Sequence, residues 1–181
     1  MIRATDVDAG QIRTDNLMRV DAQELPPGKD PYLKAGEIIV VRSGAYTGDS
    51  AIVPPDLEGS VAGYDMVVTV LGASPRFVAY CLLSRYVLND QILLLTLRAA
   101  QPHLNAEELE GVVLALPSSR KEQNAIVEFL DSKLGEIRMV ATGIKRQIAT
   151  LIAYRKSLIH ECVTGQRRIT EEDLNRVKAH G

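Results

Sequence analysis

Apolar and polar positions along the chain fall into two regimes that meet near Pro117. Before that proline the apolar residues come in short runs broken by glycine and proline. After it they recur at helical spacing as far as about residue 162.

The first regime predicts short strands. Glu37 to Arg42 (EIIVVR) is a β-branched run between Gly36 and Ser43-Gly44, and Ser50 to Val53 follows Gly48, which predicts a hairpin closed around Gly44-Ala45-Tyr46-Thr47-Gly48. Asp65 to Leu71 (DMVVTVL) and Gly111 to Leu116 (GVVLAL) predict two further strands. Residues 21–32, with Pro26-Pro27-Gly28 and Asp30-Pro31, predict a loop. Ser74-Pro75 offers an N-cap with proline at N1, and Phe77, Tyr80, Cys81, Leu82, Val87 and Leu88 continue a helical pattern to about Asn89. Asn105 with Glu108 is a capping box for one short turn of helix.

The second regime predicts one long helix. No proline occurs from residue 118 onward, and Ser119 with Glu122 makes an N-cap and N3 pair, so a helix over about 120–162 is expected. At about 1.5 Å per residue it would be roughly 60 Å long. Leu130, Ile137, Ile144, Leu151 and Leu158 are spaced by seven; taken as heptad position d, they place Val127, Leu134, Ala141, Ile148 and Arg155 at a. Nine of these ten positions are apolar, which predicts a coiled-coil seam built on Val127, Leu130, Leu134, Ile137, Ile144, Ile148, Leu151 and Leu158. Val140, Ile152 and Tyr154 widen the stripe. Gly135 and Gly143 sit at outward positions, where each costs about 1 kcal/mol relative to alanine. Such a helix needs a partner to bury its stripe. The expected fold class is therefore α+β, with a globular domain over 1–118, a long coiled-coil α-helix over 119–163 and a charged tail over 164–181.

Composition narrows the classes. With 46% hydrophobic and 24% charged residues among 181, the chain fits a globular protein rather than a disordered one. No apolar run approaches the roughly 20 residues that span a bilayer, and Met1-Ile2-Arg3-Ala4-Thr5-Asp6 lacks the apolar core of a signal peptide. A cytoplasmic location and no membrane partner are expected. Cys81 and Cys162 read as reduced thiols. The net charge of −2 hides a segregation: residues 1–119 hold 9 Lys+Arg against 15 Asp+Glu, a net of −6, and residues 120–181 hold 12 against 8, a net of +4.

Common catalytic signatures are absent. The chain contains no G-x-x-x-x-G-K-[ST], G-x-G-x-x-G, H-E-x-x-H or G-x-S-x-G, so no enzymatic activity of its own is expected. His103, His160, His180 and the two cysteines lack zinc-ligand spacing, and neither a metal nor a cofactor is expected. Asp131 and Lys133 occupy flanking heptad positions, where charges are solvated or pair across helices.

Two short segments carry chemistry suited to nucleic acid. In Arg42-Ser43-Gly44-Ala45-Tyr46-Thr47-Gly48, two glycines let the backbone approach a ligand closely, while Arg42, Ser43, Tyr46 and Thr47 offer donors for phosphates or base edges. The same spacing also fits a plain hairpin turn. Arg98, Gln101 and His103 form a second polar set, which equally fits a structural loop.

Leu116-Pro117, followed by Glu122-Gln123-Asn124-Ala125-Ile126-Val127-Glu128-Phe129-Leu130-Asp131, resembles the "LPP…EQ..I..FLD" entry to the helix of the specificity (S) subunit of type I restriction-modification systems. Tyr154-Arg155-Lys156-Ser157-Leu158-Ile159 and Val163-Thr164-Gly165 resemble its "YR.SLI…VTG" exit. Upstream, Leu33 to Ile39 resembles the "L..GDI" strand of the family's target recognition domain, Arg42-Ser43-Gly44 with Gly48 its "R.G…G" turn, and Gln101 with Leu104-Asn105 its "Q..LN" loop. The resemblance implies that the domain reads one half of a bipartite site in double-stranded DNA. The helix then spaces the two halves, and separate methyltransferase and restriction subunits perform the chemistry. On this basis Arg42, Ser43, Tyr46, Thr47, Arg98 and Gln101 are the expected DNA contacts.

The chain departs from the family pattern in three ways. A complete S subunit has two recognition domains and two spacer helices, whereas one of each is legible here, so a half-subunit is expected that pairs as a homodimer through the helix. The opening residues resemble an early but not initial part of a recognition domain, whose first elements are then expected to be missing. A net of −6 over residues 1–119 opposes phosphate binding, so arginines must cluster or affinity must come with partners. The competing expectation is an interaction or decoy module that binds a methyltransferase through its helix without reading DNA.

Overall fold

The computed structural model describes residues 1–25, 31–63, 65–96 and 102–180. Strands β1 (Val7–Asp8) and β2 (Gln11–Ile12) form a small antiparallel hairpin. Its turn, Ala9-Gly10, has positive φ at both residues, 43° and 84°, as a two-residue hairpin turn of the primed kind requires.

Strands β3 (Ile38–Val40), β4 (Ser50–Ile52) and β5 (Met66–Val68) make a three-stranded antiparallel sheet in the order β4-β3-β5, so the expected β3–β4 hairpin is present. Ile39 pairs with Ala51 on one side and Val67 on the other. The unbroken apolar run of β3 has a plain cause in the two-residue period of a strand. Ile38 and Val40 enter one cluster with Val78, Leu82, Val87, Ile92 and Leu104. Ile39 and the adjoining Val41 enter a second with Ile2, Val7, Leu33, Ala51 and Val53. The central strand is thus buried on both faces, and each such side chain contributes about 1.5–3 kcal/mol of transfer free energy.

Helices α1 (Pro75–Leu83) and α2 (Arg85–Val87), with a π-helical segment at Leu88–Ile92, contribute to the first cluster, and a short α3 (Leu93–Thr96) follows. The single helix expected to end near Asn89 is interrupted instead at Ser84 and runs on to Thr96. Ser84 is extended (φ −66°, ψ 149°), and its Oγ donates to the Cys81 carbonyl at 2.6 Å and accepts from Val87 N at 3.3 Å. One serine therefore ends the first helix and caps the next. Among the described residues no single helix is long and apolar enough to cross a membrane; α1 with the segment Arg85–Thr96 passes that test only as a pair bent by 62°.

Gly111–Leu116 is not a strand. The Gln91 side chain takes both main-chain groups of Val113, accepting from its N–H at 2.9 Å and donating to its carbonyl at 3.0 Å, where a neighbouring strand would otherwise bond. Ahead of it, α4 (Ala106–Glu110) has the expected capping box: Glu108 N donates to Asn105 Oδ1 at 2.8 Å and Asn105 N to Glu108 Oε2 at 2.9 Å.

The expected long helix is α5 (Arg120–Val163). The chain divides into two compact units, Met1–Phe129 and Leu130–Gly181. The expected boundary at residue 118 thus differs from the observed division by the first turns of α5, where Gln123 and Val127 are buried. In the second unit the expected tail contains a helix, α6 (Glu171–His180). Thr170 N donates to the Asp173 carboxylate at 3.0 Å and Asp173 N to Thr170 Oγ1 at 3.4 Å, a reciprocal cap.

Candidate nucleic-acid interface

The segment joining β3 to β4 is closed by main-chain bonds. Val41 N donates to Asp49 O at 2.8 Å, Gly48 N to Val41 O at 2.9 Å and Asp49 N to Tyr46 O at 2.9 Å. The Asp49 carboxylate accepts from Ala9 N and Ser50 N, tying the β1–β2 turn to the same loop.

The first polar segment of the sequence meets the described end of the second here, at Pro102–Leu104. Ser43 forms an antiparallel bridge with His103, Leu104 N donates to Arg42 O at 2.8 Å and Gly44 N to Pro102 O at 3.3 Å. Arg42–Gly44 and Pro102–Leu104 therefore lie side by side although no local pattern links them. Ser43, Tyr46 and His103 are exposed and Arg42 is half-buried. Arg98 and Gln101 lie outside the described residues.

Thr47 is placed otherwise than expected. It is 5% exposed, and its hydroxyl, donating to Gly44 O at 2.7 Å and lying 3.2 Å from Pro102 O, clamps the turn to the second segment. The two glycines also divide. A Cβ on Gly44 (φ +93°) would meet nothing within 4 Å, which leaves the backbone open to a ligand. One on Gly48 (φ +86°) would lie 2.6 Å from Ile92 Cγ2, so that glycine serves packing against the helical layer instead.

Asp65 is the residue that local reading missed. Its Oδ1 accepts from Arg42 N at 3.2 Å, and burial pushes its carboxyl up from the usual range, partly offset by that backbone bond. Elsewhere in the unit, Arg3 Nε and Nη2 each lie 3.0 Å from the Asp6 carboxylate and hold it below its usual range. An open concavity lined by Met1, Asn16, Met18, Arg19, Tyr32 and Ser60 includes none of the candidate residues. Among the described residues no group of three or more His, Cys, Asp or Glu is arranged to hold a metal.

Along the helix, Val127 is buried and Leu130, Leu134 and Leu158 are half-buried. Ile137, Ile144, Ile148 and Leu151 are 50–65% exposed. The middle of the seam therefore stands open in the single chain.

Residues 12–150 match the family model of the type I restriction modification DNA specificity domain. A comparison with curated proteins found no match. The chain is similar to the HsdS subunit from Thermoanaerobacter tengcongensis, with a TM-score of 0.62 at 21% identity over 77% of this chain and 36% of that one. It is also similar to a chain from a study of complex assembly and conformational transition of the type I R-M system, with a TM-score of 0.64 at 18% identity over 87% of this chain and 42% of that one. At these identities the likeness is one of fold, a mixed sheet and helix domain followed by a long helix. The chain spans about two fifths of the length of the solved chains it matches.

Proposed function

The chain belongs to the type I restriction modification DNA specificity domain family, and on that premise we propose that its first unit reads one half of a bipartite site in double-stranded DNA. Arg42, Ser43 and Tyr46 present donors from a turn that Thr47 holds, and Arg98 and Gln101 are the further expected contacts. The observation that carries this reading is the main-chain pairing of Arg42–Gly44 with Pro102–Leu104, which brings Ser43 and His103 side by side beyond the end of β3. Base edges are read by side chains held in fixed register, and a main-chain ladder supplies that register.

In this reading the chain performs no chemical step. In the cytoplasm, α5 spaces the recognition domain from its counterpart and docks the methyltransferase and restriction subunits. The open seam pairs with that of a second copy, antiparallel, and a two-fold dimer of this kind reads a symmetric, interrupted site. The test is binding of the chain, with its methyltransferase partner, to a library of duplexes at physiological salt. Enrichment of one interrupted sequence supports the reading, and equal binding of all sequences ends it.

The net of −6 over residues 1–119 favours a second reading, a decoy that binds the methyltransferase through α5 without reading DNA. Binding measured against salt separates the two. Several phosphate contacts give a steep slope, whereas a decoy binds no duplex alone or in complex.

A further inference from the structure

Between Ile137 and His160, α5 carries Arg138, Lys145, Arg146, Arg155 and Lys156 and no aspartate or glutamate. All five cations are exposed. Carboxylates flank the stretch: Glu136 pairs with Lys133 at 3.0 Å on one side, and Glu161 accepts from Ser157 Oγ on the other. Among the described residues, Lys145, Arg146, Arg155 and Lys156 make no ion pair.

The cations are also confined around the helix. At about 100° per residue, with Ile137 as origin, the seam residues fall within roughly 60° on either side. Arg155 falls on the seam, Lys145, Arg138 and Lys156 fall at roughly 80–100°, and Arg146 at roughly 180°. The remaining half of the circumference bears no charge within this stretch. Helix surfaces that serve solubility mix both signs, because neighbouring like charges repel. A row of one sign on one flank is the footprint of a polyanion.

Symmetry selects the polyanion. A two-fold operation that pairs the seams of two antiparallel helices swaps them and reverses their direction, yet returns each flank to the same side. Both cationic flanks then join on the face through which the two-fold axis emerges. A symmetric duplex site has its own two-fold axis, passing through the unread base pairs at its centre. From Arg138 to Lys156 the helix rises about 27 Å, equivalent to about eight base pairs at about 3.4 Å each.

We propose that this cationic flank of α5 grips the phosphates of the duplex between the two half-sites, independently of their sequence. The proposal rests on the recognition reading above but is tested apart from it. The probe is a fluorescein-labelled duplex of random sequence, bound by the full chain across a series of salt concentrations and followed by anisotropy. The triple variant Arg138→Gln, Lys145→Gln, Lys156→Gln should lower the slope of log K against log salt by about 2–3 per chain, with sequence preference and far-UV circular dichroism unchanged. An unchanged slope in a variant that keeps its helix overturns the proposal. So does loss of methyltransferase association at unchanged slope, which would assign the row to an acidic protein surface. If the parent shows no sequence preference but the triple variant still loses slope, the recognition reading fails and the phosphate grip stands.

Discussion

The side chain of Gln123 fastens the start of α5 to Ser74, the residue that opens α1. Gln123 Oε1 accepts from Ser74 N at 2.8 Å while its Nε2 donates to Pro117 O at 2.8 Å, and the residue is 4% exposed. Gln123→Ala leaves a buried N–H and a carbonyl without partners and should cost about 2–3 kcal/mol. Urea unfolding of the full chain measures it, and a loss below about 0.5 kcal/mol would show that the bond is replaced by water. Gln123→Glu keeps the acceptor but loses the donor and buries a carboxylate, so it should destabilise as well.

Gly48 and Gly44 separate packing from conformation. Both have positive φ, but only at Gly48 would a Cβ collide with the helical layer, at Ile92. Gly44→Ala should cost about 1 kcal/mol from backbone strain alone, and Gly48→Ala at least about 2 kcal/mol. Thermal unfolding of both variants gives the comparison, and equal losses contradict the assignment.

Thr47→Val is nearly isosteric and removes the hydroxyl's bond to Gly44 O together with its approach to Pro102 O. A loss of about 1–2 kcal/mol is expected, with faster amide exchange at Gly44, whose N–H donates to the Pro102 carbonyl. Thr47→Ser should restore both. Recovery absent in the serine variant would mean that the methyl group, not the hydroxyl, holds the turn.

Two carboxylates respond to pH with opposite signs. Asp6 is held low, first by side-chain hydrogen bonds from Arg3, so its stabilisation is complete above the unfolded value of about 4 and is lost as pH falls through the folded one. Asp65 is raised, first by burial, so its contribution is complete below about 4 and is lost as pH rises through the folded value. Asp6→Asn should therefore weaken the protein at neutral pH and scarcely at all in acid. Asp65→Asn, which keeps an acceptor for Arg42 N, should strengthen it at neutral pH. Urea midpoints at the two pH values decide, and a weaker Asp65→Asn protein at neutral pH refutes the second half.

Ile144 and Ile148 are about half exposed in the single chain. Replacing both with aspartate should leave thermal unfolding of the first unit unchanged while raising the dimer dissociation constant by at least tenfold, since each buried isoleucine contributes about 1.5–3 kcal/mol. Light scattering across a concentration series reads this directly. A wild-type chain that stays monomeric at every concentration removes the dimer from the proposed function.

Legibility followed the reach of each signal. The β3–β4 hairpin and α5 were readable because a β-branched run and a heptad repeat over many residues. Strands β1 and β2 have two residues each, too few for any period. Gly111–Leu116 has the composition of a strand, but its pairing partner is a glutamine side chain rather than another strand. The cap at Thr170 follows the rule that identified Asn105, yet charged surroundings masked it. The pairing of Ser43 with His103 had no local signature at all, because it joins segments far apart in the chain. Asp65 likewise touches Arg42 only through the fold.

That pairing bears on how such a domain changes over generations. The bonds joining Arg42–Gly44 to Pro102–Leu104 run between main-chain atoms, so they persist whatever side chains occupy positions 42, 43 and 103. Substitution there leaves the doubly buried strand β3 untouched. In the proposed function the domain is a socket with interchangeable pins: drift at these few positions would rewrite what is recognised while the stability of the frame stays nearly constant.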